Sequence, residues 1–318
     1  MRLIPFAFAL TGPVCLAQLP PSILQPGRPA VPAAPAVPTI PAAPEAPALP
    51  AANGAPNTLT PEEVTQGWKL LFDGRRLTGL RGLQKADPFA AGWKVQDGEL
   101  WLPKDVKDME RVTGGDLIST DFFWDFDFRF EWKMSASANS GVRYMLVEVF
   151  GQVPVGLEYQ IIDDVHNSIG LKGGKLRRTG ALDCVYPAGE NAKLRAGDPL
   201  NKVAEPWNEG RVLVQGTHVE HWLNGEKVLE FEVGPKIRPL ALANRKQLQA
   251  RDLMHEALPA TYGMKSRTRL SIVDQGYEIS FRNLKVMPLA PQAMVIPGGG
   301  AVRPGGTVPN PLLLPRGR

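Results

Sequence analysis

The run Phe126-Asp127-Phe128-Arg129-Phe130-Glu131-Trp132-Lys133-Met134 alternates apolar and charged residues without a break. A helix would scatter that pattern around all its sides. An extended chain instead puts Phe126, Phe128, Phe130, Trp132 and Met134 on one face and Asp127, Arg129, Glu131 and Lys133 on the other. The segment is therefore expected to be a strand, with the aromatic face in a core and the charged face in water. Such alternation belongs to antiparallel sheets covered on one side.

Turn signals divide the surrounding sequence into similar short pieces. Asn224-Gly225 tolerates positive φ at both positions and reads as a hairpin turn between Val219, His221, Leu223 and Leu229, Phe231, Val233. Asp97-Gly98 does the same between Trp93-Lys94-Val95 and Leu100-Trp101-Leu102, and Asp73-Gly74 ends a strand at Leu70-Leu71-Phe72. Parity changes between Tyr277, Ile279, Phe281 and Leu284, Val286, which predicts a β-bulge at Arg282-Asn283. Helical spacing is confined to Ala250, Leu253, Met254, Ala257 and Leu258. Many short strands and little helix predict an all-β fold, a two-sheet antiparallel jelly-roll β-sandwich, over residues 60–289.

The ends have another composition. Residues 1–17 read as a secretory signal, with basic Arg2, an apolar stretch from Leu3 to Leu16, and the small residue Ala17. Cleavage there removes Cys15 and leaves Cys184 alone, so no internal disulfide is expected. Lipidation at Cys15 is the alternative, but Gly12-Pro13-Val14 fit a lipobox poorly. Residues 18–59 are rich in Pro and Ala and read as a disordered linker, suited to a cell-envelope tether. Residues 290–318 read as a disordered Pro/Gly-rich tail. The expected location is periplasmic, cell-surface or secreted.

The net charge is +4 and the basic residues are dispersed, so no nucleic-acid partner is expected. No Gly-x-Ser-x-Gly, Cys-x-x-Cys or His-Glu-x-x-His motif occurs, and there are four His in all. The run Gly170-Leu171-Lys172-Gly173-Gly174-Lys175 lacks P-loop spacing. The densest polar set lies between Gly156 and His166. Leu157, Tyr159 and Ile161 claim a core face there, which turns Glu158 and Gln160 to the opposite face, with Asp163 and His166 where the strand breaks. Arg143 leaves the core face of another predicted strand, just after Asn139-Ser140-Gly141. A solvated strand face with a polar turn would produce the same pattern.

In order along the chain, Leu71-Phe72-Asp73-Gly74 with Leu77-Thr78-Gly79, Trp93-Lys94-Val95 with Asp97-Gly98, and Leu117-Ile118-Ser119-Thr120 are followed by Asn139-Ser140-Gly141 and Glu158-Tyr159-Gln160-Ile161 with Asp163. Gly180-Ala181-Leu182, Trp207-Asn208, Leu223-Asn224-Gly225 and Phe281-Arg282-Asn283-Leu284 complete the series. Over about residues 66–289 this series resembles the 3-keto-disaccharide hydrolase domain family. The resemblance implies a concanavalin-like, glucanase-like jelly roll, export, a carbohydrate substrate, and hydrolysis of glycosides whose sugar carries a ketone at carbon 3.

Glu158, Gln160, Asp163, Asn139 and Arg282 occupy positions matching the family's motifs. Glu158 or His166 is the candidate base. Arg143, or a divalent metal held by Glu158, Asp163 and His166, is the candidate stabiliser of the enolate. Asn139, Arg143, Gln160 and Arg282 are candidate substrate contacts. The chain departs from the family at Leu80, where Trp is usual, at Asp183, where Tyr is favoured, and at Val273-Asp274-Gln275-Gly276, where many members read Gln-Asp-His-Gly. Loss of that His and Gln leaves a non-catalytic, lectin-like carbohydrate-binding module as the alternative.

Overall fold

The computed structural model describes residues 55–290, apart from 84–86, 88, 90–91, 104–114, 148–154, 196–205 and 249–257. These fall within one compact unit, Ala48–Arg318. The expected signal, most of the linker, the tail beyond residue 290, and the expected helix other than Leu258 lie outside the described residues. No described helix is long and apolar enough to cross a membrane.

Two antiparallel sheets form a jelly-roll sandwich. The small sheet contains β2 (Leu80–Gly82), β5 (Leu117–Ser119), β7 (Asn139–Val147), β8 (Val155–Ile162) and β12 (Ser271–Asp274), in the order β2-β5-β12-β7-β8. The large sheet contains β1 (Lys69–Leu70), β3 (Lys94–Gln96), β4 (Glu99–Leu102), β6 (Asp125–Met134), β9 (Asn208–Gln215), β10 (His218–Leu223), β11 (Glu226–Glu232) and β13 (Ile279–Leu289). Its order is β11-β10-β9-β6-β13-β4-β3, with β1 also paired to β13. Among the described residues three α-helices, α1 (Pro61–Gln66), α2 (Ser168–Gly173) and α3 (Ile237–Leu248), decorate the sheets. Helix α3 was not anticipated: Pro239 sits in its first turn, where a missing N–H costs nothing, and its apolar stripe is short.

The alternating strand is β6, and Phe126, Phe128, Phe130 and Trp132 are buried between the sheets. Phe130 meets Tyr159 of the facing sheet edge-on at 5.4 Å. His221, from β10, also bridges the sheets. Its Nδ1 lies 2.9 Å from the Gly180 carbonyl, which can only accept, so Nδ1 carries the proton. Its Nε2 then accepts from the Tyr144 hydroxyl at 2.7 Å. Burial, opposed by the bond to Gly180, pushes the imidazole down to about 4, so it is neutral at neutral pH.

The opposite face of β6 corrects the sequence expectation: it is charged but not in water. Asp127 is buried between Arg211, at 2.8 and 2.9 Å, and Arg129, at 3.0 Å. Trp68 covers Arg129 at 4.5 Å. Glu131 is also buried and accepts from Arg282 at 2.7 Å and from the Asn283 amide at 2.5 Å. Alternation specifies which way a side chain points and says nothing about what lies over it.

The Asn224-Gly225 and Asp97-Gly98 turns both take positive φ and join β10 to β11 and β3 to β4. The bulge falls where parity predicts it: the β13–β6 register shifts between Arg282 and Lys285, and Asn283 has φ 51. Asn57 donates its backbone N–H to the Asn283 side chain and its own amide to the Gly98 carbonyl at 2.8 Å. The described packing thus includes Asn57, ahead of position 60.

Candidate functional site

Strand β8 is buried at Leu157, Tyr159 and Ile161, so parity turns Glu158 and Gln160 to the outer face of the small sheet. Arg143 lies directly opposite Glu158 in the β7–β8 register. Its Nε donates to Glu158 Oε2 at 2.7 Å, and its Nη1 to Asp116 Oδ2 at 3.1 Å. Asp116 in turn accepts the backbone N–H of Asp274 at 2.9 Å. One guanidinium therefore serves two carboxylates. The Glu158 and Arg143 side chains keep 12% and 11% of their surface in contact with solvent.

Gly141 explains the Asn139-Ser140-Gly141 motif at this point. A Cβ there would fall 2.5 Å from Glu158 Oε1 and 2.9 Å from its carboxyl carbon. Only a residue without a side chain leaves room for the carboxylate to lie across β7 toward Arg143. Ser140 ties β7 to β12 by donating to the Val273 carbonyl at 2.7 Å. Asn139 accepts from the Gln160 amide at 3.0 Å, so these two predicted substrate contacts bond each other in a buried pair.

The cluster continues onto a turn beyond α2. Asp183 donates its backbone N–H to the Glu158 carbonyl at 3.0 Å. Its carboxylate lies 3.7 Å from Arg177 Nε. Arg177 Nε also donates to Cys184 Sγ at 3.2 Å. Burial, then the Asp183 charge, pushes the Cys184 thiol up to about 12, so it stays protonated and is no nucleophile. Burial also raises the affinity of Glu158 for a proton. Arg143 opposes that rise, and Asp183 and Asp116 add to it. Asp116 is raised by burial against the pull of Arg143. Burial works against the Arg143 charge, but Glu158 and Asp116 outweigh it and hold the guanidinium protonated.

Asp163 and His166 do not join this group. Asp163 accepts the backbone N–H groups of Ser137, Val165 and His166 at 2.8, 3.0 and 3.1 Å and lies 2.8 Å from His166 Nδ1. Burial opposes these bonds, but together they hold its carboxyl below the usual range. The His166 side chain is 63% exposed. Five residues of chain from Glu158 to Asp163 span roughly 17 Å if extended, whereas metal ligands must converge within a few ångströms. The predicted metal set of Glu158, Asp163 and His166 is therefore corrected: strand geometry keeps Glu158 apart from the other two. Among the described residues the three-ligand group that does converge is His218, Glu220 and Glu230. Lys227 already bonds both of its carboxylates, at 3.3 and 2.5 Å.

Arg282 belongs to the other sheet. It lies on β13, bonded to Glu131 and stacked over Trp207 at 4.1 Å, on the outer face of the large sheet. The whole sandwich separates it from Glu158. A motif in sequence order does not say which of two sheets it decorates. The sequence reading also missed Asp116 and Asp183. For Asp116 the strand pattern carries no signal, because its partner is 27 residues away. Asp183 was visible only as a departure from the family pattern.

Known proteins bear on this site. A curated 3-keto-disaccharide hydrolase of Bacteroides thetaiotaomicron is 29% identical over 238 residues, covering 70% of this chain and 79% of that protein. A candidate glycosyl hydrolase from Parabacteroides distasonis, solved as a crystal structure, is 29% identical with a TM-score of 0.58, covering 74% of this chain and 100% of that one. The sequence model of one domain family spans residues 67–287, more than half of the chain, and includes every residue of the Glu158 cluster. The chain belongs to the 3-keto-alpha-glucoside-1,2-lyase-like domain family and is glycosyl-hydrolase-like.

Proposed function

We propose that the domain hydrolyses glycosides whose sugar carries a ketone at carbon 3, with Glu158 as the base. The observation that carries this reading is the Arg143–Glu158 pair at 2.7 Å on a covered strand face. A ketone at carbon 3 acidifies the hydrogen on carbon 2. Glu158 takes that proton, and the C2–H electron pair becomes an enolate with its charge on the ketone oxygen. The fixed positive charge of Arg143 is at hand to neutralise it in a site largely closed to water. The ketone then re-forms as the electron pair makes a C1–C2 double bond and the C1–O bond breaks. The leaving oxygen takes up the proton held by Glu158. Water adds its hydroxyl to carbon 1 and its hydrogen to carbon 2, and the net change is hydrolysis.

His166 is the weaker candidate base, because it lies exposed at the far end of the strand beside Asp163. The secretory-type residues 1–17 and the Pro-rich 18–59 support placing the activity outside the cytoplasm. The test is incubation of purified protein with a 3-keto-glucoside. Release of the keto-sugar is expected. Glu158→Gln should lower kcat about 10²–10⁴-fold with an unchanged far-UV spectrum. Tight binding without release in the unmodified protein would make the domain a lectin-like module instead.

A further inference from the structure

A turn beyond α2 brings a second carboxylate back to the strand that carries Glu158. Leu182 bridges to both Tyr159 and Tyr186, and Cys184 takes φ 58, so the chain doubles back over the strand. Asp183 is locked there by its N–H on the Glu158 carbonyl at 3.0 Å. Its carboxylate faces Arg177 Nε at 3.7 Å and accepts from Cys184 Sγ at 3.5 Å, and 13% of its side chain still meets solvent. Each of the two carboxylates thus has its own arginine, Arg143 for Glu158 and Arg177 for Asp183. The Asp183 charge acts on both members of the Arg143–Glu158 pair.

Burial raises the affinity of Glu158 for a proton, but an arginine at 2.7 Å is a poor neighbour for a base, because it stabilises the carboxylate and weakens its pull on a proton. We propose that Asp183 is a positioning residue for this reaction: anchored on Arg177, its carboxylate opposes the hold of Arg143 and leaves Glu158 able to take the proton from carbon 2. The inference rests on the reading of Glu158 as the base. Other groups bear on the same carboxyl. Arg143 from β7 bonds it directly, and Asp116, ahead of β5, acts on it through its charge. Tyr262, ahead of β12, is close enough to feel Glu158, Asp183, Cys184 and Arg245 of α3. Asp116 shares Arg143 with Glu158 and adds to the same opposition, and Tyr262 and Cys184 are neutral at neutral pH. Asp183 is a further negative charge, with Arg177 as its own partner.

The test compares Asp183→Asn and Asp183→Glu with the unmodified protein. The acid limb of kcat/KM on a 3-keto-glucoside should move to lower pH in Asp183→Asn, with plateau kcat reduced and KM nearly unchanged. Asp183→Glu should restore most of both. A second measurement needs no substrate. Carboxyl-labelled Glu is titrated by ¹³C NMR, with the Glu158 signal assigned by its loss in Glu158→Gln. Its midpoint should fall in Asp183→Asn. Full activity in Glu158→Gln removes the base, and the role of Asp183 with it. An inactive Glu158→Gln together with an unmoved Glu158 midpoint in Asp183→Asn overturns the role of Asp183 alone.

Discussion

The outer faces of the two sheets arrange their charges in opposite ways. On the large sheet, two guanidiniums, Arg211 and Arg129, enclose one carboxylate, Asp127. Indoles cover them, with Trp222 5.2 Å from Arg211 and Trp68 4.5 Å from Arg129. On the small sheet, one guanidinium, Arg143, is divided between two carboxylates, Glu158 and Asp116, and a third, Asp183, stands close by. Burial raises the affinity of Glu158 and Asp116 for a proton against the pull of the arginine they share. The first arrangement suits a role in holding a face together, and the second suits the base proposed at Glu158.

The comparison breaks most visibly at its two central arginines. Arg211→Met leaves buried Asp127 with Arg129 alone and should cost about 3–5 kcal/mol in urea unfolding, with turnover per folded molecule intact. Arg143→Met should lower kcat on a 3-keto-glucoside about 10²–10³-fold at a smaller cost in stability, because Glu158 and Asp116 can take up protons. Exchanged readouts would end the distinction between the two faces.

The joint between the sheets should respond to acid. His221 is held at about 4 when folded and titrates near 6.5 when unfolded, so the unfolded chain binds its proton first. Its contribution is fully present above pH 6.5 and is lost as pH falls from there toward 4, by about 3 kcal/mol. His221→Gln should be less stable at pH 7 yet lose less on acidification. Parallel pH curves for the two proteins would remove His221 as the cause.

One substitution made on each sheet sharpens the contrast. A Cβ at Gly210 would sit 2.4 Å from the Phe130 ring in the core, so Gly210→Ala should cost about 1–3 kcal/mol of stability. Gly141→Ala pushes on a carboxylate already fixed by Arg143, so its main effect should fall on kcat. The smallest effect belongs to Glu226→Gln on exposed β11, within about 0.5 kcal/mol and without change in turnover.

Much of the frame was legible in the chain. The nine alternating residues of β6 place four aromatic side chains in the core, because the two-residue period is a property of the extended backbone itself. Asn224-Gly225 and the parity switch at Asn283 are local as well. The outer position of Glu158 follows from the same period. Its company does not. Asp116 reaches Arg143 across 27 residues, and Asp183 arrives by a turn whose course no periodicity records. Glu131 and Arg282 form a pair 151 residues apart, which no alternation could announce.

The place of β13 bears on how such a chain can acquire its shape. The last described strand lies inside the large sheet, between β6 and β4, and not at its rim. Phe281 pairs with Trp132, and Asn283 meets Asn57 across 226 residues. A chain emerging from its N-terminal end makes β4 and β6 long before the strand that joins them. Until Ile279–Leu289 appears, both expose unpaired backbone along the edge β13 will fill, the kind of edge that recruits other chains. Assembly of the sheet must therefore await the finished domain, with the slow closure that distant pairings impose. A nascent chain stopped short of Ile279 can pair β6 with β9 and build the small sheet, yet has nothing to join β4 to β6.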